Sequence, residues 1–252
     1  MEIVILTAFG VGGATVAGAL AGFIFKNISK RFSDIILAFA TGVMLAASVF
    51  GLISVSLETG GRFALAVTVA GIFAGALCLG LIAKLVPYIS RLLGIRKDTE
   101  SDCSRFGSVL LFVLAIAIHN LPEGIAAGVG FGIGNTARAL VIAGGIALQN
   151  IPEGMVIIAP MVAVGVSPVR AFVCAFVTGV VEVVGTFIGY FAVSISSAVL
   201  PFALAFAGGT MLYVISDEMI PGTHTEGGDA YTTYSLLGGF CIMMMFDVLL
   251  GG

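Results

Sequence analysis

Two short stretches of this chain carry residues that could do chemistry, and they are copies of one another. One reads Ala115-Ile116-Ala117-Ile118-His119-Asn120-Leu121-Pro122-Glu123-Gly124; the other reads Gly145-Ile146-Ala147-Leu148-Gln149-Asn150-Ile151-Pro152-Glu153-Gly154, thirty positions further on. On a helix, His119 and Glu123 are one turn apart and share a face, as do Gln149 and Glu153; Asn120 with Glu123, and Asn150 with Glu153, lie on an adjoining strip. Two ligand rows per helix leave room for two neighbouring metal positions. Imidazole, carboxylate and amide oxygen side by side suit zinc, iron and related divalent ions, and the lack of a thiolate suits an ion that must be released. Magnesium or calcium sites do not normally recruit histidine. Pro122 and Pro152 lack the N–H groups that the carbonyls of Ile118 and Leu148 would accept. Each proline is therefore a candidate helix kink, and each frees an oxygen.

The surroundings of these residues make them unusual. The chain has 252 residues, 59% hydrophobic and only 10% charged, against about 25% charged in a soluble domain. Its mean hydropathy is +1.17. Polar breaks divide it into eight apolar stretches near 3–24, 34–57, 63–87, 107–131, 138–160, 170–194, 199–217 and 232–250. Each is long enough to cross the roughly 30 Å hydrocarbon layer as a helix. The runs do not alternate apolar with polar, which argues against a barrel. The expected fold class is therefore an all-α membrane protein, one transmembrane domain of eight helices over 1–252. Its place is a cell membrane, inner or plasma, and its surroundings are the lipid bilayer. No basic stripe for nucleic acid is present. The start, Met1-Glu2-Ile3-Val4, has no positive region and reads as a retained span.

A carboxylate at the bilayer centre costs at least about 2.5–3.5 kcal/mol, and no lysine or arginine lies mid-span to neutralise Glu123 or Glu153. Two facing carboxylates repel unless protonated or bridged by a cation, and a divalent ion fits that need. Glu182, in Gly179-Val180-Val181-Glu182-Val183-Val184-Gly185, either joins the same polar centre or makes a local helix–helix hydrogen bond as the acid. Met44 could lend a thioether, although packing is the ordinary role of a methionine in an apolar span. Met243, Met244 and Met245 read as packing, as do Cys78, Cys174 and Cys241; Cys103 falls in a polar loop.

Eight spans put both termini on one side. Lys26, Lys30, Arg31, Lys84, Arg91, Arg96, Lys97, Arg105 and Arg170 then share one face, and only Arg62 and Arg138 the other. The positive excess marks the cytoplasm, so both termini are expected outside. The polar segments near 88–106 and 221–231 are loops on that reading. Asp217, Glu218 and His224 follow the seventh span, as a solvated loop end or as stations at the cytoplasmic mouth of a transport pathway. Asp247 is a helix cap or a pore-mouth residue. Patterns such as Gly124-xxx-Gly128 and Gly128-xxx-Gly132 read as close helix packing.

The tandem motif, with the spans and the polar loop after the third, resembles the ZIP family of metal transporters, most of all its prokaryotic GufA-like branch. The resemblance implies an eight-helix bundle, often a homodimer, with an elevator-like rigid-body motion and a binuclear centre. One metal position would use Met44, His119, Glu123, Gln149 and Glu153; the other would use Asn120, Asn150, Glu153 and Glu182, with Glu153 bridging. Asp217, Glu218 and Asp247 match family positions along the path. Two departures stand out: many relatives have histidine at Gln149, and some have aspartate at Asn150. The metal, zinc first and cadmium, iron, manganese or cobalt as others, is cargo carried into the cytoplasm, and no resident cofactor is expected. Two other readings stay open, an intramembrane metal-dependent hydrolase and a metal-binding sensor without flux. The chain lacks an HExxH motif for the first.

Overall fold

A computed structural model describes residues 1–24, 29–92, 120–163, 166–223 and 230–250; His119, His224 and Cys103 lie outside the described residues. Among the described residues there is no strand, and helical stretches follow one another throughout. They are α1 Glu2–Ile24, α2 Lys30–Thr59, α3 Ala64–Leu92, α4 over 120–130, α5 Thr136–Ala163, α6 Pro168–Ile195, α7 Leu200–Thr223 and α8 Ala230–Leu250. Six of them, α1, α2, α3, α6, α7 and α8, are long and apolar enough to cross a bilayer. α5 runs for 28 residues and continues through Pro152, as α4 continues through Pro122, so neither proline ends its helix.

Local chemistry sets several ends. Ser29 caps α2, its hydroxyl accepting from the Phe32 N–H at 3.3 Å. Asn135 does the same for α5, its side-chain oxygen accepting from the Arg138 N–H at 3.1 Å. Just before it, Gly134 takes a left-handed φ of 79°, which ends the short turn Phe131–Ile133 after α4. The uncharged link between the sixth and seventh spans is a single turn, Ser197–Val199, and Pro201 then opens α7, where its missing N–H costs nothing.

The end of α7 corrects the sequence reading. The hydropathy break placed it at residue 217, but the helix runs on to Thr223 through a π-helical stretch, Ile215–Met219. Asp217 and Glu218 therefore stand inside α7, exposed on that wider turn, and not beyond its end. Hydropathy marks the charges as a stop, whereas the backbone keeps its bonds by widening the coil. Residues 88–92 and 221–223 likewise belong to helices, and the rest of the two polar loops, apart from the helical 230–231, lies outside the described residues. A second π-helical stretch, Ala47–Ser54, sits in the middle of α2.

Large apolar side chains point outward. Leu65, Phe73, Leu77 and Leu81 on α3, Val173, Phe176 and Ile188 on α6, and Leu237, Val248 and Leu249 on α8 are all exposed. Such a surface is covered by lipid and not by water. The interior is lined by small residues, and glycine decides which helices touch. A β-carbon at Gly154 on α5 would overlap the Thr15 carbonyl oxygen on α1, and one at Gly124 on α4 would overlap the Glu182 carbonyl oxygen on α6. Gly128 meets Thr186 of α6 in the same way, so the small-residue pattern Gly124-xxx-Gly128 does serve close packing.

Two groups result. Backbone-close contacts join α1 to α5 and α6, and α4 to α6; a second set joins α2 to α8 and α3 to α7. Between the groups the contacts made by glycines are with side chains: Gly51 meets Ile142, and Gly145 meets Met243, which is buried as packing. A two-pronged ion pair crosses the seam, with Arg138 Nη1 and Nη2 donating to Glu58 at 2.7 and 3.3 Å.

Gly154→Val is expected to destabilise the purified protein by about 3 kcal/mol or more, because α1 must leave α5. Gly144→Ala, which meets nothing within 4 Å, is expected to stay within about 0.5 kcal/mol of wild type. Thermal unfolding in detergent measures both, and equal midpoints would refute the packing account.

Candidate metal centre

The repeat places its polar residues where three helices of the first group converge on α1. Asn120 and Glu123 come from α4, Gln149, Asn150 and Glu153 from α5, and Glu182 from α6. Asn120, Glu123, Gln149, Asn150 and Glu182 are all buried, between 0% and 2% exposed, and Glu153 is half-buried. Glu123, Glu153 and Glu182 lie within electrostatic range of one another. The two copies of the motif therefore meet, as their antiparallel spans require.

Two sub-arrangements differ in their bonding. In the first, Gln149 Nε2 donates to Glu123 Oε1 at 2.9 Å, tying the two motifs together. That bond leaves Glu123 Oε2 and Gln149 Oε1 buried without a hydrogen-bond partner among the described residues. Leaving a buried acceptor unmet costs about 1–3 kcal/mol, and a cation satisfies acceptor oxygens without needing a donor. In the second, both oxygens of Glu182 accept hydrogen bonds. Thr15 Oγ1 donates to its Oε1 at 2.7 Å, the Asn120 amide donates to the same oxygen, and Asn150 Nδ2 donates to Oε2 at 2.8 Å. Asn150 Nδ2 also reaches the Val11 carbonyl at 3.3 Å. Behind Glu182, Thr186 Oγ1 donates to its main-chain carbonyl at 3.0 Å.

Glu182 thus joins the polar centre, and it does so as a hydrogen-bond acceptor and not as a free carboxylate. Met44 is 1% exposed in an apolar cluster shared with Val11, Ala126 and Ile146. Asp247 is half-buried on α8, within electrostatic range of Arg138 and Glu58. His119, one turn before Glu123 in the sequence, lies outside the described residues, as does His224. Among the described residues no three His, Cys, Asp or Glu side chains group closely enough to hold an ion by themselves.

Sequence reasoning missed Thr15 and the Val11 carbonyl. Both lie on α1, one turn apart on its buried side, along with Thr7. A row of threonines on one face of an otherwise apolar helix is the signal that was available, but threonine in a membrane helix usually bonds its own backbone.

A helical bundle with an apolar exterior and a buried acidic, amide-rich centre defines a multi-pass membrane protein. The comparisons give the class its name. The family model for the ZIP zinc transporters matches residues 93–247. The chain is 38% identical over 247 residues to zinc transporter GufA of Myxococcus xanthus, covering 95% of this chain and 96% of that one. It is 36% identical over 251 residues to zinc transporter ZIPB of Bordetella bronchiseptica, covering 94% and 78%. It is 31% identical over 331 aligned positions to human zinc transporter ZIP11, covering 98% and 97%. The chain belongs to the ZIP family.

Thr15→Val leaves Glu182 short of one donor while keeping its neighbours' shapes. We expect it to cost about 1–2 kcal/mol, read as a lower unfolding midpoint in detergent. Thr178→Val, whose hydroxyl bonds the Ala175 carbonyl within its own helix, is expected to cost less than half of that. Equal losses would refute the role given to Thr15.

Proposed function

We propose that this chain carries divalent transition-metal ions, zinc foremost, across the cell membrane into the cytoplasm. The ion occupies the position flanked by Glu123, Gln149 and Glu153, with His119 and Met44 completing its ligands. The buried oxygens of Glu123 and Gln149 that have no partner among the described residues carry this reading, because acceptors without donors in a dry interior call for a cation. The relatives named above are zinc transporters, and they match along nearly the whole chain. In this reading α4 and α5 complete an eight-crossing bundle with both ends outside, Asp247 lies at the entrance, and Asp217, Glu218 and His224 line the exit. A homodimer is compatible with the exposed apolar helix faces.

Transport requires the ion to face the two sides in turn. The group α1, α4, α5 and α6, which carries the centre, moves as a body against α2, α3, α7 and α8. Its contacts inside are backbone-close, whereas those across the seam involve deformable side chains. Deformable side chains can slide; interlocked backbones resist sliding.

Purified protein in liposomes is expected to accumulate labelled zinc down a gradient. Glu123→Gln and Glu153→Gln should each lower the initial rate by about tenfold or more, because each removes charge from the ion's ligands. Cadmium, iron, manganese and cobalt added as competitors rank the ions. Binding without accumulation would leave a sensor in place of a carrier, and cleavage of a substrate without flux would make it an enzyme. At the seam, Glu58→Gln and Arg138→Gln are expected to change the zinc uptake rate about two- to fivefold in the same direction. The exchanged pair Glu58→Arg with Arg138→Glu should return it toward wild type. Independent, unrelated effects of the two single changes would show that the ion pair does not bridge the moving groups.

A further inference from the structure

We propose, building on the transporter reading, that this chain holds a single metal ion at its centre, and that Glu182 belongs to a hydrogen-bonded plug closing the place a second ion would take. The family resemblance implies a second position built from Asn120, Asn150, Glu153 and Glu182, and the side chains present do not fit it. A cation needs lone pairs pointing at it. Around Glu182 it would meet hydrogens instead: the Thr15 hydroxyl and the Asn120 amide on Oε1, and the Asn150 amide on Oε2.

The orientation of Asn150 is held from two sides. Its Nδ2 donates to Glu182 at 2.8 Å and to the Val11 carbonyl at 3.3 Å. Turning the amide over to present its oxygen to a metal would set two oxygens, those of Glu182 and Val11, against an acceptor. Asn150 Oδ1 has no partner among the described residues, but the Nδ2 beside it is committed to Glu182 and to Val11. Asn120 donates to Glu182 on the far side. To free Glu182, an ion would have to break bonds from α1, α4 and α5 together.

Glu123 and Gln149 present the opposite case, since each keeps one buried oxygen with no partner among the described residues. The centre therefore divides into an open position on the Glu123 side and a closed one on the Glu182 side. The plug ties α1, α4, α5 and α6 into one body, and it gives Glu182 three partners without a second ion.

The test is a count of bound metal. The purified full chain is stripped with chelator, loaded with zinc or cadmium, and measured by elemental analysis and titration calorimetry. Wild type is expected to hold about one ion per chain. Glu182→Gln should keep that ion with affinity within about threefold, whereas Glu123→Gln should weaken it by about tenfold or more. Asn150→Asp replaces the key donor by a carboxylate and is expected to raise the count toward about two. Thermal unfolding identifies variants that fail to fold, and Glu182→Gln still decides the matter if Asn150→Asp is one of them. Two ions in wild type, or loss of the only ion in a folded Glu182→Gln, would overturn the plug and leave the transporter reading standing. No bound metal in wild type, together with no zinc uptake, would overturn both.

Discussion

The structure is organised around the cost of placing acidic groups where there is no water. Glu182 has no exposed surface and Glu123 almost none, and both sit on helices whose outer faces are apolar. In such a place a carboxylate is stable only if its lone pairs are met. Glu182 is met by three neutral donors from three other helices. Among the described residues, Glu123 is met on one oxygen, by Gln149. This inequality makes one half of the centre a fastener and leaves the other half able to take an ion.

That arrangement demands very close helices. The donors are short side chains, Thr15, Asn120 and Asn150, and they reach Glu182 only if the backbones behind them nearly touch. Gly154 lets α5 lie against Thr15, and Gly124 lets α4 lie against Glu182 itself. Glycine is a poor helix former in water, but inside lipid, where burying apolar surface drives no association, close van der Waals contact and interhelical hydrogen bonds hold the helices together. The same glycines bring α5 against α1 and α4 against α6 at backbone distance.

The seam between the groups is built differently. Ile142 and Met243 fill it, and Glu58 and Arg138 clasp it near its edge. Flexible side chains can repack in discrete steps, which is what a body must do to move past another without opening a path for water. In the proposed cycle Met44, on the second group, contributes the one ligand that the moving body does not carry.

Much of this was legible in the residues. The composition and the apolar runs set an all-helical membrane protein, because the backbone must bond to itself in lipid. The tandem motif marked His119, Asn120, Glu123, Gln149, Asn150 and Glu153 as one centre, because costly polar groups repeated in adjacent spans have to meet; all but His119 lie within the described residues. The end of α7 was misjudged, because hydropathy reads the charges of Asp217 and Glu218 as a stop although a π-helical turn carries the helix past them. What only the tertiary structure decided is the direction of each hydrogen bond. Asn150 as a residue type can give or take one, and Thr15 can serve its own helix or another. Only the packing of α1 against α5 and α6 turns the Asn150 amide hydrogens and the Thr15 hydroxyl onto Glu182, because a side chain's partner is set by distances between helices that the order of residues along one chain does not contain.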